Sequence, residues 1–467
     1  MEPQFNKIEE KDLTFFRGLL PASSVLIDEE SRQIYGQDET EDLVFPPEVV
    51  LIPELTEQVS EILAYCNRRL IPVTAIGART GLSGGALSVM GGVGLSMHRF
   101  NKILEIDEKN LQATVEPGVI TQVFQEAVLE KGLFYPPDPA SRGSCTLGGN
   151  LAESSGGPKA VKYGVTRDYV LNLEVVLADG TIMWTGANVL KNATGYDLTR
   201  LIIGSEGTLA VITKAVFRLI PRMKYDMLLL VPFNDAEKAC EAVSATFREG
   251  IIPSAMEFME RDALDWVNDF LKLGERIPEE VQAHLLIEVD GNHEEVLFQE
   301  CERITAVMEA HGAGEILFAS NAAEKDKLWM MRRKVAEAVK ANSIYKEEDT
   351  VVPRFRLPDL LKGVKRIGKD YGFKSVCYGH AGDGNLHVNI IKGEMSDKDW
   401  DEKLSDGIRE IFQLVVSLGG TISGEHGIGL VQRPYMDIAF KEKTLDLMRS
   451  IKAVFDPNGI LNPKKIF

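Results

Sequence analysis

Residues 77–86 read G-A-R-T-G-L-S-G-G-A and follow directly on a strand-like apolar stretch at 71–76. This junction constrains the fold more than any other feature of the chain. Gly77, Gly81, Gly84 and Gly85 fall in one loop, and successive glycines let backbone N–H groups turn inward to form an anion-binding nest. A pyrophosphate is the obvious guest; a simple chain reversal is the alternative. The loop lacks G-K-[ST], so it is no nucleoside-triphosphate loop, and its spacing is not G-x-G-x-x-G. Two further clusters, T-L-G-G-N at 146–150 and G-S-E-G-T at 204–208, lie in the same half of the chain. Three such loops suggest a long ligand threaded along backbone.

With 467 residues the chain is too long for one ordinary core, which predicts two or three domains. Residues 1–43 read as a polar, partly helical lead-in. Thr56 precedes Val59, Ile62, Leu63 and Cys66 at helical spacing. Strand-like pieces follow at 93–97, 103–107 and 112–115, and Asp179-Gly180 between 173–178 and 181–184 is a two-residue hairpin signal. A strand at 209–219 follows the third glycine loop. Residues 44–222 therefore read as an α+β unit. Beyond Pro221 the predicted order is strand 227–233, helix 236–248, strands 255–258 and 284–289, helix 294–311 and strand 315–318. That β-α-β-β-α-β order is the ferredoxin-like pattern, with helices expected on one face of an antiparallel sheet. Helices are predicted at 403–417 and 441–455.

The formal net charge of -18 argues against nucleic-acid binding, which needs a basic surface, and against a polybasic membrane anchor. The first residues, M-E-P-Q-F-N-K-I-E-E-K, do not read as a signal peptide, and no apolar run is long enough to span a bilayer. A cytoplasmic location is the resulting expectation. The five cysteines (Cys66, Cys145, Cys240, Cys301 and Cys377) form no C-x-x-C pair, which fits reduced thiols and excludes an all-cysteine cluster motif.

A second gathering of chemistry lies further on. Residues 378–390 read Y-G-H-A-G-D-G-N-L-H-V-N-I, and 423–427 read S-G-E-H-G. Strands at 375–379 and 386–390 around A-G-D-G-N would bring His380 and His387 within reach across the pair. His387 and Asn389 share a face, while Leu386, Val388 and Ile390 take the other. Glu425 and His426 sit in a second glycine-rich turn. Two imidazoles and a carboxylate with positions left open suit a catalytic metal, and hydrogen-bonded core or surface histidines are the alternative.

Taken together, P-V-T-A-I-G-A-R-T-G-L-S-G-G-A, P-P-D-P-A-S-R-G-S-C-T-L-G-G-N and G-S-E-G-T-L-A-V-I-T resemble the FAD domain of the vanillyl-alcohol-oxidase-type flavoproteins. Within them the likeness is to the branch of glycolate oxidase flavoprotein subunits and D-lactate dehydrogenases, and it covers residues 44–467. The resemblance implies a FAD-binding domain at 44–222, a ferredoxin-like substrate or cap domain at 223–430, and a C-terminal helical segment at 431–467 returning to the FAD domain. It implies that Gly77, Ala78, Arg79, Thr80, Gly81, Leu82, Ser83, Gly84 and Gly85 bind FAD. It implies the same of Pro137, Asp138, Ser141, Thr146, Gly148, Gly149 and Asn150, of Glu206 and Gly207, and of Asn462 in the closing L-N-P-K motif. Many relatives attach flavin through a His or Cys; the first loop has neither and Cys145 is the one candidate in the second, so noncovalent FAD is expected.

The pattern G-H-x-G-D-G-N-x-H and the G-E-H-G turn also match the family. The resemblance implies that His380, His387 and Glu425 hold one divalent metal (Fe, Zn or Mn), with His426 as base and Asn389 as a group near substrate or ligands. In L-W-M-M-R-R-K at 328–334, Arg332 matches the position that grips the substrate carboxylate, a task suited to a planar guanidinium; a solvated helix face is the alternative. Lys346 is a further candidate. The implied activity is oxidation of a D-2-hydroxy acid, D-lactate favoured, with electrons passed to a partner protein, an electron-transferring flavoprotein heterodimer ahead of an iron–sulfur subunit. An oxidase of the same fold using O2, a non-redox flavin-dependent transferase and a flavin-binding scaffold are the alternatives.

Overall fold

The computed structural model describes residues 4–274 and 277–467, so the first three residues of the expected lead-in lie outside the described residues. The chain divides into two compact units. One comprises Met1–Ser155, Val165–Arg222 and Glu425–Phe467; the other comprises Gly156–Gly164 and Met223–Gly424.

In the first unit, helix Thr56–Arg69 buries Val59, Ile62, Leu63 and Cys66, the stripe that the spacing predicts. They join Val49, Leu51, Val73, Val93 and Leu95 in one core. The sheet under the helix orders its strands Val25–Leu26, Val49–Leu51, Val93–Ser96 and Val73–Ile76. The last two pairings are parallel, and strands Val49–Leu51 and Val93–Ser96 are buried throughout, as parallel strands are. The C-terminal segment closes this sheet: the Val73 N–H donates to Ile460 O at 2.8 Å and the Asn462 N–H to Val73 O at 2.8 Å. A second, antiparallel sheet orders Ile103–Asp107, Gln112–Val115, Val211–Arg218, Val170–Val176 and Ile182–Trp184. Its last two strands form the hairpin expected around Asp179-Gly180, with Gly180 at φ +89°.

The second unit is built on a seven-stranded sheet. The order is Leu317–Phe318, Tyr225–Phe233, Ala283–Gly291, Ala255–Glu260, Lys374–Gly379, Asn385–Ile391 and Tyr345–Val351, with every neighbouring pair antiparallel. The expected β-α-β-β-α-β order is present at one end except that helix Arg261–Phe270 is inserted between strands Ala255–Glu260 and Ala283–Gly291, and the sheet runs on through three more strands. Helices are not confined to one face. Helix Ala236–Arg248 packs on one side, with Glu294–Ala310 against it. Helices Arg261–Phe270, Ala322–Arg333 and Val335–Asn342 pack on the other, sharing a core with Ala255, Met259, Leu286, Val376 and Tyr378. The β-propensity pattern of central strands buried on both faces allows either arrangement.

The segment Gly156–Gly164 lies inside the stretch expected to be FAD domain, yet it is tied to the second unit. Lys159 pairs with Glu288, the Lys162 ammonium with Asp290 at 2.6 Å, and the Tyr163 hydroxyl with Asp290 at 2.9 Å. The second unit ends at Gly424 rather than near residue 430. Among the described residues no helix is long and apolar enough to cross a membrane.

Candidate functional site

The first unit contains a cleft whose walls are the three glycine-rich segments. Gly77 to Leu82, Gly85, Ser141, Thr146, Gly148, Gly149, Asn150, Glu206 and Gly207 line it, together with Glu425 and His426. Residues 78–83 carry backbone N–H groups that meet no acceptor among the described residues. A run of half-buried, unpaired donors along a cleft suits a phosphate-bearing cofactor, because each donor left without an acceptor is costly. The loops also approach closely: a Cβ on Gly77 would lie 2.9 Å from the Thr146 hydroxyl. These features fit a bound dinucleotide.

Several expected cofactor residues act from behind the wall instead. Asn462 donates its amide to Gly85 O at 2.9 Å and to Glu206 O at 2.7 Å, so it clamps the first and third loops together. The Gly84 N–H donates to Thr40 at 2.8 Å, and Ser83 O accepts from Leu430 and Val431. Pro137 O accepts the Gln125 amide at 2.8 Å. Neither these four residues nor Asp138 line the cleft; their neighbours Pro139 and Ala140 do. Arg79 lines it with its backbone at φ +61°, while its guanidinium lies over Tyr35 at 5.0 Å. Cys145 is buried, its thiol engaged with Thr121 at 3.3 Å and Asn150 at 3.4 Å.

Sequence reasoning passed over Glu153, the last residue of helix Leu147–Glu153, which also lines the cleft. One of its carboxylate oxygens is buried without a partner among the described residues. Burial and the neighbouring Glu206 and Asp38 raise its pKa well above the usual carboxylate range; a helix C-terminus disfavours an anion as well. Glu206, at φ +52°, accepts the Ile428 N–H at 2.7 Å and the Gly429 N–H at 2.6 Å. Burial pushes it up to about 7, against those two donors and Lys465. Lys465 is itself pushed down to about 8 by burial. Gly427, at φ +78°, admits no side chain: a Cβ there would lie 1.9 Å from the Glu153 carboxylate. The turn that carries Glu425 and His426 is thus pinned to the third glycine loop through Glu206.

In the second unit the register gathers polar groups on one face. Tyr378 lies opposite His387, Glu347 opposite Asn389 and Asp349 opposite His387. The His380 and His387 rings stand edge to face with centroids 5.3 Å apart. The His380 Nδ1 faces both oxygens of Glu257, at 2.9 and 2.8 Å, and Glu257 Oε2 lies 2.7 Å from Arg332 Nη2. The side chain of Glu257 has 0% exposure and that of Arg332 7%. Arg332 Nε is buried with no partner among the described residues, and its guanidinium stands over the Tyr378 ring at 5.3 Å. Burial, with Glu347 adding to it, raises the Tyr378 hydroxyl. Asn389 is fully buried and neither amide atom makes a hydrogen bond among the described residues. His387 Nδ1 lies 3.3 Å from Glu347 and 3.8 Å from Asp349. Asp349 in turn accepts Ser423 Oγ at 3.0 Å and the Gly424 N–H at 2.8 Å.

The structure therefore brings His380, His387, Asn389 and Arg332 to one face. Arg332 lies on helix Ala322–Arg333 with its side chain buried, so it is not part of a solvated surface. Lys346 does not join them. It pairs in register with Ile390, on the face opposite to Glu347 and Asn389, because side chains alternate along a strand. Glu257 was missed; its only trace in the sequence is an acid inside an apolar strand. Two imidazoles with one Nδ1 held by a carboxylate, beside buried amide and guanidinium atoms that lack partners, form a donor set that fits a divalent metal and an anionic ligand.

Two family models match in tandem: a FAD binding domain over residues 47–186 and the C-terminal domain of FAD linked oxidases over residues 222–466. The glycolate oxidase subunit GlcD of Bacillus subtilis is 41% identical, covering 93% of this chain and 92% of that one. A D-lactate dehydrogenase of Anaerostipes hadrus is 37% identical, over 100% and 99%. A crystal structure of p-cresol methylhydroxylase with substrate bound superposes at TM-score 0.81 with 19% identity, over 98% and 96%, a likeness of fold. That fold is the vanillyl-alcohol-oxidase type, and the first two of the loops that wall the cleft fall within the matched FAD binding domain. The tandem match and the full-length relatives agree, and the chain belongs to the family of FAD-linked oxidases.

Proposed function

We propose that this FAD-dependent oxidoreductase oxidises a D-2-hydroxy acid, D-lactate foremost, to the 2-oxo acid. The observation that carries the reading is the buried Arg332, whose Nε has no partner among the described residues, on the face that holds His380, His387 and Asn389. Glu257 already meets the charge of this guanidinium, and the donor left open on its Nε matches a carboxylate oxygen. Relatives named for glycolate oxidation and D-lactate dehydrogenation support the same substrate class.

Arg332 takes the substrate carboxylate, and Asn389 orients its neighbouring oxygens. His380, His387 and Glu425 would hold a divalent metal, which when bound would supply a Lewis acid for the 2-hydroxyl. His426 accepts the hydroxyl proton as general base. FAD, when bound noncovalently in the cleft of the first unit, supplies the acceptor for the hydride leaving C2. Fixing the carboxylate at Arg332 decides which face of C2 is presented, and so which enantiomer reacts. The two electrons then pass to a partner protein, an electron-transferring flavoprotein heterodimer.

The test is anaerobic photometry of the purified yellow protein with D-lactate, L-lactate, glycolate and D-2-hydroxyglutarate. Bleaching of the flavin by D-lactate in preference to the others is expected. Reoxidation by added electron-transferring flavoprotein, and slow reoxidation in air, completes the expectation. No bleaching by any hydroxy acid overturns the reading; fast reoxidation in air makes the enzyme an oxidase.

A further inference from the structure

The geometry points to Glu257 as the positioning residue that sets both the metal-binding nitrogen of His380 and the carboxylate-binding fork of Arg332. This rests on the metal and substrate roles given to those two residues above. The side chain of Glu257 has 0% exposure, and among the described residues its charge is met by His380 and Arg332. Its oxygens lie 2.8 and 2.9 Å from His380 Nδ1, and Oε2 lies 2.7 Å from Arg332 Nη2.

The consequences follow from proton counting. A carboxylate can only accept, so Nδ1 of His380 carries the ring proton and Nε2 is left with its lone pair, the form that binds a metal. A neighbouring carboxylate also fixes the ring plane and makes Nε2 more basic. On the other side the same carboxylate forms an ion pair with Nη2 of Arg332, and Nε has no partner among the described residues. It also fixes the guanidinium plane over Tyr378 at 5.3 Å. One buried anion thus couples the two halves of the ligand site: the ring that turns toward the metal and the fork that turns toward the carboxylate.

The position is built by strand pairing. Phe258 pairs with Gly379 and Met259 with Tyr378, which sets Glu257 beside His380. Its strand neighbours on the same face, Ala255 and Met259, are apolar and buried, so no other anion of that strand can substitute.

The experiment compares Glu257→Gln, Glu257→Asp and His387→Ala with the parent. Metal affinity of the FAD-loaded protein is read by competition between the stripped protein and a chelator for Mn²⁺ and for Zn²⁺. KM for D-lactate is read separately at saturating metal. Glu257→Gln keeps the shape of the side chain but loses its charge. It is expected to weaken metal affinity roughly 10- to 100-fold, the usual effect of losing the carboxylate behind a ligating histidine, and to raise KM. Glu257→Asp keeps the charge and is expected to recover part of the affinity, which a purely structural role would not give. Flavin content and the far-ultraviolet circular dichroism spectrum report folding, and if Glu257→Gln fails to fold, Glu257→Asp carries the comparison alone. Unchanged metal affinity in a folded Glu257 variant, while His387→Ala loses the metal, overturns the role of Glu257 and leaves the metal site standing. Retention of metal by His387→Ala overturns the site and this inference with it.

Discussion

Glu206 offers a perturbation whose size follows from its hydrogen bonds. Its carboxylate accepts the N–H groups of Ile428 at 2.7 Å and Gly429 at 2.6 Å, directly after the turn that carries Glu425 and His426. Glu206→Ala leaves two donors unsatisfied, one of them buried, and each such donor costs about 1–3 kcal/mol. The expected loss of unfolding free energy is therefore about 2–6 kcal/mol, the upper part applying if no water reaches the gap. Glu206→Gln keeps one acceptor oxygen and turns an amide N–H toward the other donor, so its loss is about 1–3 kcal/mol. The assay is urea unfolding followed by flavin fluorescence and by circular dichroism, with FAD release rates measured alongside. The ordering parent, Gln, Ala is the signature, and FAD release should quicken in the same order because Glu206 also lines the cleft. Equal stability of all three proteins would refute the pinning role. A variant that releases FAD quickly but unfolds like the parent would restrict Glu206 to contact with the cofactor.

Two further outcomes are expected. His426→Ala should retain FAD and metal and lose roughly 10²- to 10⁴-fold in the rate of flavin reduction by D-lactate, the usual worth of a general base; stopped-flow bleaching reads it. The acid pair in the cleft should make stability fall with pH. Glu153 and Glu206 have raised values, so the folded protein binds more protons than the unfolded chain, and their contribution is full below the ordinary carboxylate value and lost as pH rises, for Glu206 through about 7. Glu153→Gln should remove the part of that loss that Glu153 contributes, so its stability relative to the parent should be higher at pH 7.5 than near pH 4.5. Chemical denaturation at matched FAD occupancy reads the difference, and a gap independent of pH would refute it. Lys465 does not confuse the window, since its depressed value of about 8 lies above it.

Much of the fold was legible because its signals are local. The hairpin around Asp179-Gly180 needs a residue with positive φ, and Gly180 announces it. Helix Ala236–Arg248 has Asp235 as a cap accepting from Glu237 and Lys238 and a single buried stripe, so both its ends and its face can be read. Where charge and burial mix, the local signal fails. Strand Tyr345–Val351 reads Y-K-E-E-D-T-V and looks like a loop, yet Glu348, Asp349 and Thr350 are all buried. Its acids face histidine and asparagine across the ladder, partners that no window of this segment contains. Helix Asp397–Ser417 begins six residues before the expected start, at a Ser396 cap hidden among charges. That Lys346 and His387 occupy opposite faces follows only once the strand and its register are known.

The candidate site divides along the same line. His380, His387 and Asn389 were legible because they sit within ten residues on two strands joined by a glycine turn, and alternation alone sorts their faces. Arg332 was legible only through resemblance, and its anchor Glu257 was not legible at all. In A-M-E-F-M-E every residue is buried, so the strand shows no polar alternation that would mark one glutamate as facing a site. What selects Glu257 is the pairing of Phe258 with Gly379. A slip of one residue would turn Glu257 to the opposite face and bring Met256 or Phe258 beside His380. The charge that orients His380 and Arg332 is thus specified by register between strands more than a hundred residues apart, and the packing of Ala255 and Met259 against Tyr378 in one core is what holds that register.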